Sequence, residues 1–214
     1  MKFEPPRPQT LTLEGPVGAL EAILEDPGEN ASRIAVICHP HPLHGGTMTN
    51  KVVHTLARTF NQLGVASLRF NYRGVGASAG TYDEGRGETD DAIAVVDWAL
   101  GRMPGAHVWL AGFSFGGAVA LRTATARVPQ RLITVAPAAA RENPANVQVP
   151  DCPWLVVQGG RDDLIDCRSV QEWVAALQPS PTLVVLPEAE HFFHGRLNEL
   201  RDAVKNWLEV VSSG

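Results

Sequence analysis

The stretch that most constrains this chain is Trp109-Leu110-Ala111-Gly112-Phe113-Ser114-Phe115-Gly116-Gly117-Ala118-Val119-Ala120. An apolar run breaks at a serine boxed by glycines and resumes as a small-residue helical pattern. The arrangement reads as a G-x-S-x-G elbow, in which the serine tops a sharp strand-to-helix turn and Gly112 and Gly116 stand where a Cβ would collide with the neighbouring chain. Short Gly/Ser patterns also arise in ordinary turns. The remaining sequence therefore has to supply what such a serine requires.

The flanking segments alternate in type. Thr10 to Leu13 and Val17 to Glu25 read as two strands joined at Glu14-Gly15-Pro16, the second alternating with Leu20, Ala22 and Leu24 on one face. Arg33 to Cys38 is apolar without alternation, as expected of a parallel strand covered on both faces. It empties into His39-Pro40-His41-Pro42-Leu43-His44-Gly45-Gly46-Thr47-Met48-Thr49, where two prolines and two glycines preclude a helix. Asn50 then offers an N-cap to a helix carrying Val53, Leu56, Phe60 and Leu63 and ended by Gly64.

Val65 to Phe70 is the next buried strand, followed by Asn71-Tyr72-Arg73-Gly74-Val75-Gly76-Ala77-Ser78-Ala79-Gly80. The glycines miss the dinucleotide-binding spacing by one residue, and Thr81 to Gly87 is turn-like where a phosphate-binding helix would start, so a Rossmann site is disfavoured. Arg73-Gly74-Val75-Gly76 reads as a structural turn. A helix follows with Ile93, Val96 and Leu100 on one face and Trp98 on its flank, ended by Gly101 and Pro104-Gly105.

His107 to Phe113 is the strand of the elbow. Arg131 to Val135, Pro153 to Gly159 and Thr182 to Leu186 are further strands, and Ala136 to Asp151 is a proline- and alanine-rich connection. Asp166 or Ser169 starts a helix with Val170, Trp173, Val174 and Leu177. The final helix aligns Leu197, Leu200, Val204, Trp207, Leu208 and Val211. Strands alternating with helices predict an α/β domain over residues 1–214, with a doubly wound, mostly parallel sheet and helices on both faces. The loops at the carboxyl ends of its strands should form the site.

Composition narrows the partners. A net charge of -5 argues against nucleic acid, and no stretch reaches the length of a membrane span. The start, Met1 to Pro8, lacks the apolar core of a signal peptide, and Cys38, Cys152 and Cys167 are odd in number without C-x-x-C spacing. Free thiols and a cytoplasmic location are expected.

A serine hydroxyl needs a base within hydrogen-bond reach, and the base needs a third group to fix its tautomer. Two downstream loops offer them: Gly159-Gly160-Arg161-Asp162-Asp163-Leu164-Ile165 and Pro187-Glu188-Ala189-Glu190-His191-Phe192-Phe193-His194-Gly195. Asp163 and Asp166 are alternatives to Asp162, and His194 competes with His191. His39, His41 and His44 invite a metal reading, but no Asp, Glu or Cys completes a ligand set nearby, so neither metal nor cofactor is expected.

Together these phrases resemble the α/β-hydrolase fold, and most closely its small, lidless bacterial members, relatives of dienelactone hydrolases and short-chain esterases. The resemblance rests on His39-Pro-His-Pro with Gly45-Gly46-Thr-Met, Asn50-Lys51-Val52-Val53, Arg69-Phe-Asn-Tyr-Arg-Gly-Val-Gly-Ala-Ser, Gly112-Phe-Ser-Phe-Gly, Gly159-Gly-Arg-Asp-Asp and His191-Phe-Phe-His. It implies Ser114 as nucleophile, His191 as base and Asp162 as acid, with His194 capping or bonding near the start of the last helix. One oxyanion donor should be the N–H of Phe115. Pro40 and Pro42 have no N–H, which leaves His41, with Leu43 as the alternative, for the second. His41 follows the position where many relatives carry glycine and this chain carries Pro40.

The connection from Ala136 to Asp151 is too short for a cap subdomain, so a shallow site walled by Leu43, Tyr72, Phe115 and Phe192 is expected. The implied activity is hydrolysis of small carboxylic esters through an acyl-enzyme. Thioesterase, lactonase, amidase or acyltransferase chemistry, or a catalytically idle binding protein of the same fold, are the alternatives.

Overall fold

A computed structural model describes residues 3–28 and 31–211. Met1 and Lys2, on which part of the signal-peptide reading rests, lie outside the described residues.

Eight strands form one sheet: β1 (Gln9–Gly15), β2 (Gly18–Glu25), β3 (Arg33–Cys38), β4 (Ala66–Phe70), β5 (His107–Phe113), β6 (Arg131–Val135), β7 (Trp154–Gly159) and β8 (Thr182–Leu186). Their spatial order is β1-β2-β4-β3-β5-β6-β7-β8. The β1–β2 and β2–β4 pairings are antiparallel and the others parallel. The expected hairpin at the start of the chain is present, with the second strand starting at Gly18 rather than Val17.

Five helices cover the sheet: α1 (Lys51–Gln62), α2 (Arg86–Arg102), α3 (Phe115–Ala126), α4 (Cys167–Ala176) and α5 (Leu197–Val211). Successive strand residues serve opposite cores because side chains alternate across a sheet. Ile34, Val36 and Cys38 of β3 join the core under α2, α3 and α4, while Ala35 and Ile37 join the one under α1 and α5. Two buried faces explain why β3 and β5 through β7 read as nearly continuous apolar runs.

Helix starts follow local chemistry. Asn50 accepts the N–H of Val52 at 2.9 Å, and Asp166 accepts that of Ser169 at 2.8 Å, each capping its helix. At α2 the carboxylate of Glu88 reaches back to the N–H groups of Gly85 (2.7 Å) and Asp83 (2.9 Å). The buried face of α2 differs from the expected one. Ala92, Val95, Val96 and Ala99 face the sheet, while Leu100 is 39% exposed and the helix continues through Gly101 to Arg102. Small alanines take the closest approach, which rotates the leucine outward.

The chain moves from β3 outward to β4 and returns to place β5 on the other side of β3. That reversal creates a switch point between β3 and β5, where Cys38, the last residue of β3, pairs with Gly112, the last but one of β5. Loops leaving these two strands diverge from the same place. Between β6 and β7 the chain holds only two short 3-10 turns, Ala138–Arg141 and Pro144–Asn146, so no cap covers the switch point from that connection.

Candidate active site

Ser114 sits between β5 and α3 with φ 55 and ψ -116, a conformation that costs of order 1–3 kcal/mol for a residue with a Cβ. Backbone bonds to β6, to α3 and to the turn after β6 hold it there: its N–H donates to Val135 O at 2.9 Å, and its carbonyl accepts from Gly117 (2.9 Å) and Ala138 (3.0 Å). The flanking glycines are sterically required. A Cβ on Gly112 would overlap the backbone of Gly116, and one on Gly116 would overlap the carbonyls of Cys38 and His39. The elbow is therefore wedged against the loop leaving β3.

His191, in the loop after β8, faces the serine. Its Nε2 lies 3.2 Å from Ser114 Oγ and its Nδ1 2.8 Å from Asp162 Oδ2. The ring is 2% exposed and packs between Phe113 and Phe192, with centroid separations of 5.1 and 5.0 Å. Asp162 follows β7, and all its acceptor capacity is engaged. Oδ1 accepts the amides of Leu164 (2.9 Å) and Ile165 (2.7 Å), and Oδ2 accepts Gln158 Nε2 (3.0 Å) besides His191. Burial pushes this carboxyl up, but the bond to His191 and those from Ile165 and Leu164 outweigh it and hold it below the usual range. Asp162 is thus poised as an anion against Nδ1–H, which leaves Nε2 free to accept the serine proton.

The competing candidates are occupied elsewhere. Asp163 is exposed, and Asp166 caps α4. His194 is not a cap on α5: its N–H (2.8 Å) and Nδ1 both meet Glu190 Oε1, pinning the turn that carries His191. Gln158, to which the sequence reading gave no role, stands out as a polar residue ending the apolar run of β7 that is fully buried against Asp162.

The loop after β3 lies across the start of α3. Phe115 is the first residue of that helix, so its N–H has no intrahelical partner and sits at the positive end of the helix dipole. Of the two other amides considered, Leu43 N–H is already directed at His41 Nδ1 at 3.2 Å. Because Nδ1 accepts there, Nε2 of His41 carries the proton and points it to the Tyr82 hydroxyl at 3.2 Å. The His41 ring stacks on His44 at 4.5 Å and tilts against Phe115 at 4.9 Å. Burial and the neighbouring His44 both push its pKa down.

The outer rim carries exposed apolar groups, Leu43 at 68%, Leu164 at 50% and Phe192 at 38%. Tyr72 differs from expectation. It is fully buried, packed on His39 at 4.1 Å and against Phe70 and Phe115, and has no surface left to wall a substrate. Packing on His39, Phe70 and Phe115 holds its ring inside the fold. His39 is a structural side chain: Nε2 accepts the Tyr72 N–H (3.2 Å) and Nδ1–H donates to Pro40 O (2.7 Å), while burial pushes its pKa down to about 4. Arg73 is clamped by buried Asp91, with Nη2 at 2.8 Å and backbone N–H at 2.9 Å, as suits a structural turn. Among the described residues, no cluster of three or more His, Cys, Asp or Glu could hold a metal ion, and no helix is long and apolar enough to cross a membrane.

An eight-stranded, mostly parallel sheet with a serine elbow at its switch point defines an α/β serine hydrolase of the lidless type. Residues 41–152 match the Hydrolase_4 family model, described as serine aminopeptidase, S33, and the chain belongs to this family. It is similar to a lidless α/β serine hydrolase of Xanthomonas campestris, at 44% identity over 96% of this chain and 95% of that one, with a TM-score of 0.88. An α/β serine hydrolase homologue from Coxiella burnetii is 42% identical over 97% of this chain and all of its own, with a TM-score of 0.89. An uncharacterized protein of Rickettsia prowazekii is 30% identical over 94% of this chain and 89% of its own length.

Proposed function

We propose that this hydrolase cleaves small carboxylic esters through an acyl-enzyme formed on Ser114. The observation that carries the reading is the continuous hydrogen-bonded chain from Ser114 Oγ through the His191 ring to Asp162. In the first step Nε2 of His191 takes the Ser114 proton as Oγ attacks the ester carbonyl. Asp162 holds Nδ1–H and stabilises the imidazolium. The tetrahedral oxyanion is met by the N–H of Phe115 and, from across the switch point, that of His41. One such donor is worth about 3–4 kcal/mol of barrier. The imidazolium then protonates the leaving alcohol, and water attacks the acyl-serine by the same route in reverse.

An uncapped site favours small substrates. Leu43 and Phe192 supply apolar walls at the rim, but most of a long acyl chain would stay in water. Its methylenes would then gain much less than the ~0.8 kcal/mol of a fully buried CH₂, and kcat/KM should stop rising by about eight carbons. The free thiols of Cys38, Cys152 and Cys167 fit work in the cytoplasm. A p-nitrophenyl ester series tests the specificity: activity on acetate to octanoate that levels off beyond is expected. A steep, continuing rise with chain length, or turnover confined to aminoacyl amides, would overturn it.

A further inference from the structure

Gln158 is the last-but-one residue of β7, its side chain is fully buried, and its position is costly. Its Nε2 faces three acceptors, Ile165 O (2.9 Å), Asp162 Oδ2 (3.0 Å) and Gly159 O (3.3 Å). Its Oε1 is buried with no hydrogen-bond partner. Three acceptors around one end settle the amide orientation, since turning it over would aim an oxygen at a carboxylate and two carbonyls. A buried amide that leaves its own oxygen unsatisfied is disfavoured for stability alone.

The oxygen it meets is the one that matters. Oδ1 of Asp162 is fixed by the amides of Leu164 and Ile165, and Oδ2 is shared between Gln158 and the Nδ1 of His191. A donor on a carboxylate oxygen withdraws charge from it and weakens its hold on a second donor. We propose that Gln158 is a positioning residue that acts on His191 through Asp162 Oδ2, moderating that oxygen's hold on Nδ1–H. Without that donor, Oδ2 would bind Nδ1–H more strongly, favour the imidazolium, and leave less free base for Ser114.

This rests on the hydrolase reading above, and the experiment separates the two. Gln158→Met removes the donor and the orphaned oxygen together at similar volume, and Gln158→Leu stands in if the thioether packs poorly. For wild type and variant, the rate of fluorophosphonate labelling of Ser114 and kcat/KM on p-nitrophenyl acetate are followed from pH 5 to 9. The acid limb should move up by roughly one pH unit, so that activity near pH 6 falls by up to about tenfold, while KM and the alkaline plateau change much less. A purely structural role would lower rate or thermal stability alike at every pH and leave the limb where it was. That outcome overturns the proposal. Failure of the wild type itself to be labelled would instead overturn the hydrolase reading.

Discussion

His191 Nε2 and Ser114 Oγ lie 3.2 Å apart although 77 positions separate them in the chain. Neither residue is free to choose another partner. Ser114 is held by backbone bonds to β6 and its following turn, and His191 is wedged between two phenylalanines with Asp162 behind it. The pairing is a product of the sheet order, which brings the ends of β5, β7 and β8 to one edge.

Asp162→Asn tests the role of the acid. The asparagine would keep the size but could donate an N–H toward His191, favouring the tautomer with its proton on Nε2. Nε2 could then no longer accept from Ser114. We expect kcat to fall by about 10⁴-fold with KM little changed, measured by steady-state ester hydrolysis. Retention of more than a tenth of the activity would show that His191 is oriented by other means.

Gly116→Ala tests whether the elbow is wedged against the β3 loop. The added methyl would meet the carbonyls of Cys38 and His39, which belong to backbone and cannot swing away. Overpacking of this kind costs typically 1–3 kcal/mol. We expect a lower urea midpoint together with lost activity, since the same displacement moves His41 away from the serine. An alanine variant as stable and active as wild type would contradict the close approach.

His39 predicts how stability depends on pH. Its folded pKa is pushed down to about 4 from 6.5, so the unfolded chain binds the proton more readily than the native one. The stability it contributes is complete above about pH 6.5 and is lost as pH falls toward 4. A shift of this size corresponds to about 3 kcal/mol. Urea unfolding of wild type and His39→Gln at pH 7 and at pH 4.5 should show the wild type losing more stability than the variant over that interval. Equal losses would remove His39 from the account.

Much of this architecture is legible in the sequence because its causes are local or periodic. The nearly continuous apolar runs of β3, β5, β6 and β7 reflect burial on both faces, and the alternation of Leu20, Ala22 and Leu24 reflects the antiparallel hairpin at the sheet edge. The places of Ser114, Asp162 and His191 are visible because each lies in the loop that leaves a strand marked by the apolar pattern. Three features were not legible, for different reasons. Tyr72 follows a strand as a wall residue would, but its burial is decided by the packing of His39 and Phe115, which are remote in sequence. The outward turn of Leu100 depends on how closely the alanines of α2 approach the sheet. His194 is exposed and captured within a single turn by the Glu190 carboxylate, whereas His191 is buried against Phe113 and bonded to Asp162. Gln158 carried a faint signal, a lone polar residue closing an apolar strand, whose meaning depends on a carboxylate brought to it by the following turn.

The central claim is that Ser114 is a nucleophile activated by His191. Intact-protein mass spectrometry after incubation with a fluorophosphonate tests it most directly. The account predicts one adduct per chain in the wild type, mapping to the peptide that contains Ser114, none in Ser114→Ala, and strongly slowed labelling in His191→Ala. A wild type that takes up no adduct, or a Ser114→Ala variant labelled as fast as wild type, would contradict it.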